Sequence, residues 1–428
     1  KSHAIKNSGT IESSGNDSVA ISYKPDATLS PGTVLENTGK ITMTGDRNTG
    51  IYATGTPGYT AKNSGIITLG DSATIKNPNV GLYTDHDAVT LENTGTIDID
   101  ARDSYGVYIR NGIIKNYGTI RINAPGSKGI VTANDANNNV VDPAYPHHNF
   151  NNHVTKENAV VNNKASLELG DESIGILTKK ATINLTGTGT NDISVGKKGI
   201  GVFADDSEVS LLSNYGIEVK DEGTGIFVKD GSQVSAGNLK LTYTGAKDKS
   251  AVGMFYDDDS NNIKTNDTNI ELDDKTGTTE GLIALYVKKK SGTGKLINAA
   301  NIKGDKGYGI VTEGSEVDNS GNITFNNVIS KDRPSVGMFS REHSGSFGNM
   351  RNSGTITMGA SSVGMYGHGI KNAGKITVGD KGTAIYSMGG NVDLEANSEI
   401  VVGKNNAIGT YIGGTAQNVT ADANSKFT

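Results

Sequence analysis

Ile5-Lys6-Asn7-Ser8-Gly9-Thr10-Ile11 opens the chain, and the same phrase returns as Leu35-Glu36-Asn37-Thr38-Gly39-Lys40-Ile41 and Leu91-Glu92-Asn93-Thr94-Gly95-Thr96-Ile97. Further copies lie at positions 61–67, 114–120, 317–323, 350–356 and 370–376. The closing isoleucines are spaced by 30, 26, 30 and 23 residues, and later by 33 and 20. Self-similarity at such a period marks a stack of supersecondary units, each covering its neighbour's apolar face.

A second phrase accompanies the first: a small residue, an aliphatic, then usually an aromatic. It reads Gly50-Ile51-Tyr52, Gly81-Leu82-Tyr83, Gly106-Val107-Tyr108, Gly201-Val202-Phe203, Gly225-Ile226-Phe227 and Gly253-Met254-Phe255. Later copies are Gly337-Met338-Phe339, Gly364-Met365-Tyr366 and Ala384-Ile385-Tyr386. Counted along the chain, the phrase predicts about 15 rungs of 20–33 residues. Ile41-Thr42-Met43, Ile67-Thr68-Leu69 and Ile356-Thr357-Met358 alternate apolar and polar with the period of a strand, and no segment holds a helical stripe. Short strands pairing with their copies one rung away satisfy every backbone group. The fold class is therefore all-β, a parallel β-helix. In it Asn tolerates a left-handed corner and bonds the next rung's Asn, while Gly allows a bend that a Cβ obstructs.

Composition agrees. Gly is 57 of 428 residues, Pro only 8, and there is no Cys or Trp. Lack of Cys excludes a disulfide scaffold and Cys-based metal sites. The net charge of −6 is interspersed rather than striped, which disfavours nucleic-acid binding. No apolar run is long enough for a transmembrane helix, and no signal peptide is visible. Neither end carries a recognisable cap, which suggests that 1–428 is one β-helix fragment of a longer rod.

Two stretches break the pattern. Between Gly129 and Gly175 lie 46 residues, about two rungs' worth, with one rung signature. Its Asn-rich part, 134–161, holds Tyr145, His147, His148, Phe150 and His153 and is expected to be a loop insertion carrying the binding residues. The adjacent His pair plus His153 has poor ligand spacing, so no metal is expected. From 156 to 305 the Asn phrase fades and the rungs are less regular. The acidic run at 256–262 lacks the spacing of a calcium loop, and Lys288-Lys289-Lys290 reads as solvated, though it suits an acidic glycan or partner.

Strand alternation turns the aromatic of the second phrase outward, as a platform for sugars, whereas its Phe members favour burial beside the corner Gly. The outward positions Thr42, Thr68, Asp98, Arg121, Thr324, Thr357 and Thr377 contain one isolated acid and one isolated base. No catalytic residue, cofactor or nucleophile motif is assigned, and the chain is not expected to be an enzyme.

Lys6-Asn7-Ser8-Gly9-Thr10-Ile11, Glu92-Asn93-Thr94-Gly95-Thr96-Ile97 and Ser335-Val336-Gly337-Met338-Phe339 resemble passenger domains of large type V autotransporter adhesins, most closely the fusobacterial type. The resemblance covers the chain outside the insertion and thins between 156 and 305. It implies a right-handed coil, an extracellular place on the bacterial cell surface, and anchoring in the outer membrane by a β-barrel outside this sequence. Members act in virulence by binding a host cell-surface protein or glycan, such as galactose-containing ones, or a partner bacterium. No family site motif maps onto this chain. The expected function is a cell-surface adhesin segment displaying binding loops on a rigid β-helical rod. The alternatives are a structural stalk with recognition elsewhere, and a carbohydrate-active lyase or hydrolase.

Overall fold

A computed structural model describes residues 4–24, 34–55, 59–70, 78–86, 88–109, 112–132, 159–235, 237–257, 262–266, 268–288, 295–343, 345–414, 418–422 and 424–428. The chain divides into two compact units, Lys1–Ser213 and Asn214–Thr428. No helix occurs among the described residues.

Each turn of the first unit is built from three short strands. The Asn phrase supplies two of them, as in Val34–Asn37 and Lys40–Met43, and the aromatic phrase supplies the third, Thr49–Ala53. All three pair in parallel with their copies: Asn37↔Asn63, Ile41↔Ile67 and Tyr52↔Tyr83 are register partners. Alternation sends Leu35, Ile41, Met43, Ile51 and Ala53 into the core, all fully buried. This is a parallel β-helix, with seven aromatic-phrase strands in the first unit and eight in the second among the described residues. The same three-strand turn runs through the second unit, where Val363–Asn372 and Thr383–Leu394 each carry the aromatic strand straight into the next Asn strand.

The repeated Asn builds a buried amide ladder. In the first unit Asn7, Asn37, Asn63, Asn93 and Asn116 each donate from Nδ2 to the Oδ1 of the next, ending on Asn163, over 2.7–2.9 Å. In the second, Asn298, Asn319 and Asn352 do the same, ending on Asn372. These asparagines lie within strands and are not left-handed, contrary to the corner role expected of them. Left-handed backbone sits instead one corner later, before the aromatic strand. There Asp17, Arg47, Asp103, Glu172 and Lys198 in the first unit, and Glu222, Ser361, Lys381 and Asn406 in the second, have φ between 50° and 59°. The charged members bear a steric cost that Gly or Asn would reduce, and long polar side chains give no local sign of it.

The insertion is shorter than its sequence bounds. Ala159–Asn163 is a strand whose Val161 is buried and pairs with Ile114 and Ile183. Lys128–Thr132 pairs directly with Ile174–Lys179, Ile130 opposite Ile176. The 46-residue interval is thus one rung, not two, interrupted between Thr132 and Ala159.

Candidate functional site

Tyr145, His147, His148, Phe150 and His153 lie outside the described residues, as do 258–261 of the acidic run and Lys289-Lys290. What the structure positions is the frame of the insertion: strands on both sides of it stay in register with their neighbours. Tyr256, the first residue of the acidic run, is a core side chain with no exposed surface. Among the described residues no group of three His, Asp or Glu is placed to hold a metal ion.

The outward column of the Ile strand corrects one expectation. Asp98 and Arg121 are not isolated; they are register partners, and Arg121 pairs in turn with Glu168. The guanidinium lies 3.4 Å from Asp98 and 2.9 Å from Glu168. In the second unit Lys240 sits 2.9 Å from Asp273, and Lys303 2.7 Å from Glu271. Glu36 is likewise 3.5 Å from Lys6, and Glu92 is 3.1 Å from Lys62 on the Asn strand. Opposite charges on successive rungs neutralise each other along the outside of each unit. At such exposure each pair contributes at most about 1 kcal/mol, so their main effect is to disfavour slipped register.

The aromatic strand presents the most concentrated chemistry. In the second unit Phe227, Phe255 and Tyr286 are register partners stacked at 4.8 and 4.9 Å, and Tyr366, Tyr386 and Tyr411 continue at 4.8 and 4.7 Å. Val311 interrupts the column, and Tyr308 from the same strand fills the step by stacking on Phe339. In the first unit Tyr52, Tyr83 and Tyr108 form a similar run, with Tyr83 buried. Phe227, Phe255, Tyr286, Phe339, Tyr366 and Tyr386 are half-buried, so neither expected extreme holds. Where the ring separation matches the strand spacing, faces turn toward neighbouring rungs and edges reach water, whereas Phe339 and Tyr366 meet edge to face at 5.2 Å. A sugar finds edges and hydroxyls here rather than open faces.

Beside this strip lies a polar node. The Tyr286 hydroxyl donates to Glu313 Oε2, while His343 Nδ1 lies 3.0 Å and Lys288 Nζ 3.7 Å from Oε1. His343 comes from the β-hairpin in which Glu342 and His343 pair with Phe347 and Ser346, and Phe347 stacks on His368 at 5.2 Å. Burial pushes the Glu313 carboxyl up, but Tyr286, His343 and Lys288 outweigh it and hold the group below the ordinary carboxylate range. Burial, and then Glu313, push the Tyr286 phenol well above its usual value, so it stays a donor at neutral pH. Positions 286, 313 and 343 share no motif; only the rung count aligns them.

The second unit gathers several such carboxylates. The bidentate Arg351 contact draws Glu395 below its ordinary range. The Asn405 amide does so for Asp380. For Asp273, burial pushes upward and Lys275 with Lys240 overcomes it. A depressed carboxylate stabilises the fold above its unfolded pKa of about 4, and that contribution disappears as pH falls through the lower folded value. Calorimetry should find a flat Tm from pH 7 to about 5 and a fall below about pH 4. A Tm that rises toward pH 3 would contradict the assignment.

The fold defines a protein of the parallel β-helix class. Residues 1–140 match the family described as the BigA third pectate lyase-like domain, about a third of the chain. The match supports a β-helical domain of a bacterial surface protein, and it does not reach to the fusobacterial type. No curated protein and no solved structure was found to match the chain.

Proposed function

We propose that this chain is a non-catalytic segment of a cell-surface adhesin, a β-helical scaffold presenting binding groups to a host receptor, host glycan or partner bacterium. The observation that carries this reading is that Lys128–Thr132 and Ala159–Asn163, the strands flanking the insertion, keep their register with the neighbouring rungs. Such a scaffold tolerates a long displayed segment without loss of core. Secretion as a type V autotransporter passenger, a fusobacterial-type relationship, an extracellular place and a role in virulence belong to the same proposal. The "pectate lyase-like" description of the matched family makes a polysaccharide lyase or hydrolase the second reading.

The test compares the chain with a variant lacking 134–158 for binding to host cells and to other bacteria. At least a tenfold loss of binding is expected, about 1.4 kcal/mol. Unchanged binding by the variant would remove the insertion as the binding element, and absence of any binding would favour a structural stalk. Release of reducing ends or unsaturated sugars from polysaccharide would establish the enzyme reading instead.

A further inference from the structure

Two residues beyond the ring position, the aromatic strands of the second unit carry a column of alternating sign. Lys229, Asp257, Lys288, Glu313 and Arg341 are successive register partners. Arg341 closes this column without a carboxylate of its own. Its in-register neighbour Glu313 already has Tyr286 on one oxygen and His343 and Lys288 on the other. On its far side the strand Val363–Asn372 contains no acidic residue and bulges at His368. Glu342, next in the chain, is exposed on the hairpin and pairs across it with Phe347. Among the described residues the Arg341 guanidinium makes no ion pair; it is exposed and lies 5.4 Å over the Phe339 ring.

We infer that Arg341 and Glu313 form a donor–acceptor pair for an acidic glycan, the guanidinium holding its carboxylate or sulfate and Glu313 accepting from a ring hydroxyl. This deepens the adhesin reading and rests on its glycan branch. Three features carry it. The two side chains leave adjacent rungs about 4.8 Å apart, the span of substituents across one sugar ring. A guanidinium offers a planar fork that matches carboxylate and sulfate oxygens in two parallel hydrogen bonds. Resting on Phe339 restricts the long Arg341 side chain beforehand, which lowers the entropy lost on binding. The contacts of Tyr286, His343 and Lys288 keep Glu313 an ionised acceptor.

The experiment titrates the whole chain with a uronate-containing, a sulfated and a neutral tetrasaccharide, using Arg341→Ala and Arg341→Lys variants of unchanged Tm. Binding of an acidic sugar and not of the neutral one is expected. Arg341→Ala should weaken it about tenfold or more, and Arg341→Lys should restore only part of the loss because the charge returns without the fork. The uronate and sulfate arms identify which anion is taken. Equal affinity in the Arg341→Ala variant, equal affinity of Arg341→Lys and the parent, or no acidic-sugar binding would each overturn the site. A parallel cell-binding assay separates the two readings. Cell binding without acidic-sugar binding rejects this site and leaves the adhesin reading standing. Arg341-dependent sugar binding without cell binding does the reverse.

Discussion

Gly65→Ala is expected to destabilise the first unit by about 3 kcal/mol or more, an unusually large effect for one methyl group. Gly65 is not left-handed, so its need is not conformational. A Cβ there would lie 2.1 Å from the carbonyl oxygen of Gly39 and 2.7 Å from the Thr38 carbonyl carbon. The obstacle is backbone, and that backbone is held by hydrogen bonds from Ser64 N and Gly65 N to Asn37 O and from Ile66 N to Gly39 O, at 2.7–3.0 Å. Relief requires breaking those bonds or separating two rungs. Gly9 is the internal comparison: in this chain its Cβ would meet nothing nearer than Asn7 Oδ1 at 4.0 Å. Gly9→Ala should therefore change stability by no more than about 0.5 kcal/mol. Urea unfolding, read together with hydrogen exchange of the strands Val34–Asn37 and Thr60–Asn63, distinguishes the two. Equal midpoints for both variants would show that the rungs adjust to the extra atom.

Asn319→Ala should cost about 2–4 kcal/mol in the second unit. The Asn319 amide accepts from Asn298 at 2.7 Å and donates to Asn352 at 2.8 Å and to the Gly321 carbonyl at 3.0 Å. All three asparagines are essentially without exposed surface. Water cannot replace the lost partner, so Asn352 Oδ1 loses its donor inside a low-dielectric core. The same unit holds an exposed ladder of similar geometry, Asn301 to Asn269 at 2.9 Å and Asn269 to Asn238 at 2.7 Å. Asn269→Ala should cost less than about 1 kcal/mol, because solvent takes over both amide bonds. Matching losses at the two positions would mean that the geometry of an amide ladder, rather than its burial, sets its strength.

Both comparisons show where local reading of the chain succeeds. The repeat period, the strand alternation and the amide ladder follow from residue chemistry within seven positions, and the Asn and Gly of that phrase have the rung-to-rung roles such chemistry allows. Residue chemistry points the left-handed corner to Asn because Asn tolerates it best among non-glycine residues. Arg47, Glu172, Lys198 and Lys381 adopt that backbone instead, and the Glu172 and Lys381 amides donate to Lys197 and Asn405 carbonyls one rung on. The sequence bounds of the insertion are too long because Ala159, Val160 and Val161 sit beside an Asn-rich stretch and look like its continuation. Their strand is evident only against Ile113, Ile114 and Lys115 in the preceding rung.

The candidate site was less legible still. Asp98, Arg121 and Glu168 look unrelated until the intervals of 23 and 47 residues between them are seen as single rungs. The Glu313 node joins side chains 27 and 30 residues away and depends on a hairpin that no repeat announces. By itself the sequence determined the class of fold, the interior aliphatics and the amide ladder, because these repeat with the period of the coil. Tertiary structure decided which outward groups meet, since unequal corner loops hide register from the linear chain. It also decided that runs such as Phe227, Phe255 and Tyr286 turn their ring faces to one another, because strand spacing brings register partners within stacking distance.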